Sequence, residues 1–229
     1  MTEEWIELGG LRALAVGDRQ EARVVMVLAH GFQMEPGDLS PFAHSIRAPA
    51  YFLFPEAPNA AEVRGRAWWY IDPKLRDEAI ARGPRDFGVQ HPPDLPAARA
   101  RMLAFFEAAR ALAGTRPLVA GGFSQGGMLT CDTILRSGFA VDAMALLSAS
   151  RIAFDEQEPL YAARPFEGLP VVVSHGQADP DLSFAAGEAL RDALTAAGAV
   201  VTWVPFAEGH EIPLVVWRRL RVLLLGLAT

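Results

Sequence analysis

The pentapeptide Gly122-Phe123-Ser124-Gln125-Gly126 constrains this chain more than any other stretch, because it fits the G-x-S-x-G turn between a strand and a helix. Leu118 to Gly121 forms a short apolar run typical of a buried strand, and Gln125 to Arg136 has a helical pattern. In such a turn, the residues two before and two after the serine come so close that side chains there would clash. Glycines at both positions meet that requirement. The context therefore predicts that Ser124 is raised above a sheet as a nucleophile.

A serine needs partners to react. Its hydroxyl becomes a competent nucleophile when a base removes the proton and a carboxylate orients that base. In this type of turn the acid and the histidine follow the serine along the chain, each after a strand. The apolar run 169–174 predicts a buried strand, and Asp179 lies in the loop after it. The next predicted strand, 199–204, is followed by a loop that ends in His210. Asp179 is the predicted acid and His210 the predicted base.

Other residues compete with this pair. Asp181 lies two residues after Asp179 in the same loop and is the main alternative acid, although Asp179 is nearer the end of the strand. Some hydrolases take the acid from the preceding strand, and three further residues are less suitably placed: Asp132, Asp142 and Asp155. His30 and His175 each end a predicted strand, and the role expected for them is hydrogen bonding that shapes the loops.

Acyl transfer also needs donors for the negative charge that develops on the carbonyl oxygen. One donor is expected from the backbone N–H of the residue after the nucleophile, and a second from the loop after an early strand. Val24 to Ala29 is that early strand, and Phe32 lies in the loop that follows it. The backbone N–H groups of Phe32 and Gln125 are therefore the predicted oxyanion hole.

Strand-like and helix-like segments alternate along the chain, which predicts an α/β fold with a mostly parallel central sheet and helices on both faces. Glu4 to Leu8 and Leu11 to Val16 flank Gly9-Gly10 and predict an antiparallel hairpin. The 229 residues are 51% hydrophobic and contain no repeat, low-complexity tract or linker, so residues 1–229 are predicted to form one domain. Further predicted elements are helices at 39–46, 94–112 and 183–197, strands at 50–54 and 141–147, and a last helix.

Six blocks of sequence occur in a fixed order from about residue 24 to the C-terminus. They are Leu28-Ala29-His30-Gly31-Phe32 with Asp38, Phe54-Pro55-Glu56-Ala57-Pro58, Ala67-Trp68-Trp69-Tyr70, Gly121 to Gly127, His175-Gly176-Gln177-Ala178-Asp179-Pro180, and Gly209-His210-Glu211-Ile212. This set resembles the phospholipase/carboxylesterase family, which includes small bacterial carboxylesterases and acyl-protein thioesterases. The resemblance implies an α/β-hydrolase fold, with Ser124, Asp179 and His210 as the triad and Phe32 with Gln125 as the oxyanion hole.

The chain departs from the family pattern at two places. Gln33 stands where the family usually has a glycine. The segment from Ile71 to Asp94 is unlike its counterparts and is rich in Pro, Arg and Asp, so we expect a loop that folds over the site and caps the acyl pocket. Met34 and Trp69 are predicted to line that pocket, with packing in the core as the alternative role for both side chains.

Composition excludes several other classes of function. The net charge of −6 disfavours a nucleic-acid interface, which requires a basic face. The histidines are scattered and the single cysteine, Cys131, is expected in the core, so neither a metal site nor a cofactor is predicted. The acidic N-terminus lacks the features of a signal peptide, which predicts a cytoplasmic protein. The apolar run 212–227 contains Arg218, Arg219 and Arg221 and predicts an amphipathic helix without stable membrane insertion.

Taken together, the residues predict a serine carboxylesterase that acts on a small ester of short to medium acyl length through an acyl-serine intermediate. The same triad would serve an acyl-protein thioesterase or lysophospholipase, which is the nearest alternative. An α/β-hydrolase that has lost activity and serves as a binding module is the alternative from another class, and three retained triad residues disfavour it. The oligomeric state stays open.

Overall fold

The computed structural model describes residues 2–229. The strands are β1 (Glu3–Leu8), β2 (Leu11–Val16), β3 (Val24–Ala29), β4 (Ala50–Pro55), β5 (Asn59–Ala60), β6 (Arg66–Ala67), β7 (Leu118–Phe123), β8 (Ala143–Leu147), β9 (Pro170–Gly176) and β10 (Val200–Phe206). The helices are α1 (Ser40–Ile46), α2 (Pro73–Arg82), α3 (Leu95–Ala113), α4 (Gln125–Ser137), α5 (Phe154–Ala162), α6 (Phe184–Ala196) and α7 (Leu214–Leu227).

Eight strands form one sheet in the order β1-β2-β4-β3-β7-β8-β9-β10. The pairs from β4 through β3 to β10 are parallel, and β1 and β2 add an antiparallel hairpin beside β4. Strand β3 is buried along its whole length, as a strand covered on both faces must be. The mostly parallel α/β-hydrolase sheet predicted from the sequence is confirmed.

Helices cover both faces of the sheet, and alternate residues of each strand point to opposite sides. Val25 and Val27 of β3 join a core cluster with residues of α3 and α4, including Met102. Met26 and Leu28 join a second cluster with residues of α1 and α7. The sheet therefore separates two apolar layers, and its carboxyl edge is left to the loops.

That carboxyl edge brings the sequence motifs together. β3 pairs with β7 so that Ala29 lies opposite Gly122, and β10 pairs with β9 so that Phe206 lies opposite Gly176. The loops that follow these four strands contain Phe32, Ser124, Asp179 and His210. Parallel pairing thus places residues from distant parts of the chain at one end of the sheet.

The segment 71–94 differs from the expected loop, because it contains the helix α2. The Asp72 side chain caps that helix by accepting hydrogen bonds from the N–H groups of Lys74 and Leu75, and Pro73 occupies its first position. None of the residues of α2 is buried. Without an apolar stripe, the helix lacks the periodicity that would have revealed it.

Helix α7 accounts for the apolar run at the C-terminus. It packs on the sheet through Val216, Trp217, Leu220 and Leu224, while its three arginines are exposed, so the predicted amphipathic helix is confirmed. Among the helices of residues 2–229, none combines the length and the hydrophobicity needed to cross a membrane.

Candidate active site

Ser124 lies in the sharp turn between β7 and α4. Its backbone adopts φ 53° and ψ −119°, a conformation that costs a non-glycine residue on the order of 1–3 kcal/mol. Hydrogen bonds on both sides hold it there. The Ser124 N–H donates to the Leu147 carbonyl at 2.9 Å, and the Met128 N–H donates to the Ser124 carbonyl at 3.0 Å.

The flanking glycines permit this turn. A Cβ atom on Gly122 would lie 2.3 Å from the carbonyl carbon of Gly126, and one on Gly126 would lie 2.4 Å from the carbonyl oxygen of Ala29. These contacts involve backbone atoms, which cannot rotate away. The close approach expected from the G-x-S-x-G pattern is therefore present.

We expect Gly122→Ala to destabilise the protein by about 3 kcal/mol or more, because its methyl group would overlap the backbone of α4. Gly37→Ala is the matched control, since no atom lies within 4 Å of the Cβ it would add. Urea denaturation of both variants measures the difference. Equal stabilities would show that the turn can open to admit a side chain.

Ser124, His210 and Asp179 form a continuous hydrogen-bonded chain. His210 Nε2 lies 2.8 Å from Ser124 Oγ, and His210 Nδ1 lies 2.6 Å from Asp179 Oδ2. Because a carboxylate can only accept, Nδ1 donates to Asp179 and Nε2 is left to accept the serine proton. The ring of Phe123 packs 4.9 Å from the His210 ring, centroid to centroid, and limits its movement.

The other oxygen of Asp179 is also fixed. Its Oδ1 accepts hydrogen bonds from the backbone N–H groups of Asp181 at 2.8 Å and Leu182 at 2.9 Å. With Oδ2 bound to His210, both oxygens of this buried carboxylate are held by hydrogen bonds. Such charge-assisted bonds set the orientation of the imidazole.

Asp181, the alternative acid, is engaged elsewhere. Its carboxylate accepts hydrogen bonds from Arg76 and Arg85. Burial opposes ionisation of this group, but the two guanidinium groups outweigh it and lower the pKa of Asp181 below its usual value. Its backbone N–H serves Asp179, and its side chain does not contact His210.

The three other acidic alternatives lie apart from His210. Asp155 is exposed on α5 and pairs with His91 at 2.9 Å. Asp132 is buried between Arg99 and Arg136, and Asp142 pairs with Arg110. The structure thus places only one of the candidate carboxylates within reach of His210.

His30 and His175 shape the neighbouring loops. His30 Nδ1 donates to the Gly31 carbonyl at 2.8 Å, which leaves Nε2 to accept from the Ala57 N–H at 3.2 Å. Burial lowers the pKa of His30 to about 4, so this ring is neutral at physiological pH. His175 Nε2 donates to the Leu182 carbonyl at 3.1 Å, and burial lowers its pKa as well. Both have the hydrogen-bonding role expected from the sequence.

The backbone N–H groups of Phe32 and Gln125 are available at this edge. Within residues 2–229, neither N–H donates a hydrogen bond to a protein acceptor. Gln125 is the first residue of α4, where N–H groups have no partner inside the helix and the helix dipole favours negative charge. These two groups are candidates for binding an oxyanion.

The Gln125 side chain has a second role that sequence reasoning missed. Its Oε1 accepts from the Trp68 N–H at 2.8 Å, and its Nε2 donates to the Trp69 carbonyl at 2.9 Å. The indole N–H of Trp68 donates in turn to the His30 carbonyl at 2.9 Å. Gln125 thereby ties the Trp68-Trp69 block to the start of α4.

Gln33 adopts the left-handed conformation, with φ 62°. This explains why a glycine suits the position, because a side chain there is strained. The Gln33 N–H donates to the Arg66 carbonyl at 2.9 Å, and the Arg66 N–H donates to the Met34 carbonyl at 2.9 Å. Pairing with Arg66 therefore holds the loop of Phe32 in place despite the departure from the family pattern.

A cavity of about 560 Å³ borders Trp69, whose carbonyl accepts a hydrogen bond from the Gln125 side chain; the three triad residues are not part of its wall. Most of its wall comes from the segment 71–94, including Arg76, Arg85 and Phe87, and Trp69 forms another part. Of the two residues predicted to line the pocket, Trp69 borders this cavity. Met34 does not; it is half-buried and packs beside Gly31.

Cys131 is buried in α4, as expected, with its sulfur 3.2 Å from the Tyr161 hydroxyl. Burial raises the pKa of this thiol to about 12, so it stays protonated and unreactive. Throughout the described range 2–229, no group of three or more His, Cys, Asp or Glu side chains is arranged to hold a metal ion.

Residues 109–221 match the family model described as phospholipase/carboxylesterase. This match confirms the resemblance to that family. The matched range contains Ser124, Gln125, Asp179 and His210, whereas the loop of Phe32 lies before it. No curated protein of similar sequence was found.

Solved structures agree on the fold. A carboxylesterase from Mesorhizobium loti is 20% identical with a TM-score of 0.74, over 98% of this chain and 99% of that one. A carboxylesterase from Bacillus cereus is 18% identical with a TM-score of 0.69, over 96% and 95% of the two chains. A phospholipase/carboxylesterase from Dyadobacter fermentans is 19% identical with a TM-score of 0.69, over 93% and 95%. Together they show that the chain has the α/β-hydrolase fold.

Proposed function

We propose that this protein is a serine hydrolase that cleaves carboxylic esters of short to medium acyl length. The observation that carries the proposal is the hydrogen-bonded chain from Ser124 through His210 to Asp179. Its order and bond lengths are those required to activate a hydroxyl for attack on a carbonyl carbon. The match to the phospholipase/carboxylesterase family supports an ester as the substrate.

In the first half of the reaction, Ser124 Oγ attacks the carbonyl carbon of the ester while His210 Nε2 takes the hydroxyl proton. The carbonyl oxygen becomes negative and accepts hydrogen bonds from the N–H groups of Phe32 and Gln125. Collapse of this intermediate breaks the bond to the alcohol oxygen, which receives the proton from His210. The alcohol leaves, and the acyl group stays on Ser124.

In the second half, water attacks the acyl carbon and His210 Nε2 takes its proton. The bond between the acyl carbon and Ser124 Oγ then breaks, and His210 returns the proton to the serine. Asp179 stabilises the imidazolium that forms in both halves and keeps its charge throughout. The chemistry uses only these side chains and the two N–H donors, so the proposed reaction needs no cofactor.

A substrate panel tests this proposal. Initial rates with p-nitrophenyl esters of graded acyl length, beside an acyl thioester and a lysophospholipid, should give the highest kcat/KM for the short and medium esters. A clear preference for the thioester or the lysophospholipid would favour the thioesterase or lysophospholipase alternative. The absence of both turnover and fluorophosphonate labelling would instead favour a binding module.

We also propose that the segment 71–94 determines acyl preference, because it forms most of the wall of the cavity that borders Trp69, and its Arg76 and Arg85 bind Asp181 in the loop of Asp179. Replacing Arg82 to Gln90 with a short Gly-Ser linker should change the ratio of activity on long and short esters. The reaction of Ser124 with a small fluorophosphonate should persist and serves as the internal control. An unchanged chain-length profile would show that this segment is surface only.

A further inference from the structure

The carboxylate of Asp181 joins two parts of the molecule that are far apart in sequence. Arg76 Nη2 donates to its Oδ2 at 2.5 Å, and Arg85 donates to its Oδ1. The Asp181 side chain is only 10% exposed, and those of Arg85 and Arg76 are 19% and 25% exposed. These are partly buried ion pairs, in which the loss of one partner leaves charges without compensation.

Backbone hydrogen bonds reinforce this junction. The Arg85 N–H donates to the Asp181 carbonyl at 2.8 Å, and the Ser183 N–H donates to the Arg85 carbonyl at 2.8 Å. On their other side, Asp181 and Leu182 donate their N–H groups to Asp179. Residues 181–183 therefore bind the proposed acid, Asp179, on one side and the segment 71–94 on the other.

Both arginines form part of the cavity wall. The Arg85 guanidinium lies 4.7 Å from the centre of the Phe87 ring, and that of Arg76 lies 5.8 Å from the centre of the Phe32 ring. Because Asp181 is bound to both, its carboxylate sets where these groups lie relative to the triad. Long arginine side chains without that partner would sample many rotamers.

We propose that Asp181 is a positioning residue for substrate choice: it fixes Arg76 and Arg85 in the wall of the cavity that borders Trp69. This rests on the proposed ester hydrolysis at Ser124. Asp181 acts through the two arginines and does not touch the reacting atoms. Its removal should therefore affect how an acyl chain is bound and leave the chemistry at Ser124 largely intact.

Asp181→Asn keeps the shape and the backbone N–H but removes the charge. We expect the ratio of kcat/KM for long and short p-nitrophenyl esters to change by about 10-fold, mostly through KM. The rate of labelling by a small fluorophosphonate should stay within about 3-fold of the wild type. Arg85→Gln removes one of the two guanidinium groups that bind Asp181, and it leaves the sequence of the Asp179 loop unchanged.

The two substitutions should not be additive. Because Asp181→Asn already removes the charge that Arg85 binds, the double variant should show about the same ratio of kcat/KM for long and short esters as Asp181→Asn alone. Asp132→Asn is the matched control, because Asp132 is also a buried carboxylate bound to two arginines, Arg99 at 2.6 Å and Arg136 at 2.8 Å. Asp132→Asn should lower the free energy of unfolding without changing the ratio of kcat/KM for long and short esters.

Hydrogen exchange provides a readout that does not depend on activity. Amides of residues 71–94 should lose protection in Asp181→Asn and Arg85→Gln, and keep it in Asp132→Asn. The proposal would be overturned if folded Asp181→Asn or folded Arg85→Gln kept both the wild-type amide protection of residues 71–94 and the wild-type ratio of kcat/KM for long and short esters. If the wild type hydrolysed no ester and took no label, the proposed function would fail, and hydrogen exchange would still decide whether Asp181 holds the segment.

Discussion

Ser124→Ala is expected to fold normally and to lose ester hydrolysis by about 10⁴-fold or more. The hydroxyl of Ser124 lies 2.8 Å from His210 Nε2 and is the proposed nucleophile, so no acyl intermediate should form without it. What persists is binding and stabilisation of the oxyanion, which give a small residual rate. Steady-state kinetics with the best p-nitrophenyl ester, beside a thermal melt, measure both parts of the prediction.

Ser137→Ala is the matched control, since Ser137 ends the same helix and its hydroxyl makes only local hydrogen bonds: it donates to the Thr133 carbonyl and accepts from the Phe139 N–H. It should retain wild-type kinetics. If the Ser124 variant kept most of its activity in a preparation free of contaminating esterase, the assignment of the nucleophile would fail.

Asp179→Asn should lower kcat by about 10⁴-fold while KM stays within a few fold. The reason lies in the two backbone N–H groups of Asp181 and Leu182, which bind Oδ1. They would hold the amide oxygen of the asparagine on their side and turn its NH₂ group toward His210. Nδ1 would then have to accept, and the proton on Nε2 would face Ser124, which is the wrong tautomer for a base.

Asp181→Asn is the comparison, because it lies two residues away and binds arginines rather than His210. Asp181→Asn should lower kcat far less than Asp179→Asn does, and it should instead change the preference between long and short esters. Parallel measurement of kcat and KM for both variants over the ester panel separates the roles. A larger loss of kcat in Asp181→Asn than in Asp179→Asn would move the proposed acid to Asp181.

The loops at the site were predictable because they follow strands that are largely apolar. Parallel pairing then leaves little choice about where residues such as Ser124 and His210 meet. The two glycines around the serine were also informative, since only a close backbone approach requires them both. Apolar strands and paired glycines are local patterns, so they can be recognised in a single sequence.

Helix α2 was missed for a physical reason. It buries none of its residues, so it has no apolar periodicity, and its local signals lie at its two ends: the capping Asp72 with Pro73, and Gly83 after its last residue. The ion pairs of Arg76 and Arg85 with Asp181 join residues about a hundred positions apart and depend on the finished fold. The same holds for the Gln125 side chain, whose partners lie in the Trp68-Trp69 block.

The most direct test of Ser124 as the nucleophile is to locate the residue that reacts with a fluorophosphonate. Intact mass and peptide mapping of the labelled wild-type protein should reveal a single adduct on Ser124. The adduct should be absent from Ser124→Ala and should form far more slowly in His210→Ala, because the base that activates the hydroxyl is gone. An adduct on another residue, or none at all on a folded protein, would contradict the claim that Ser124 is the nucleophile.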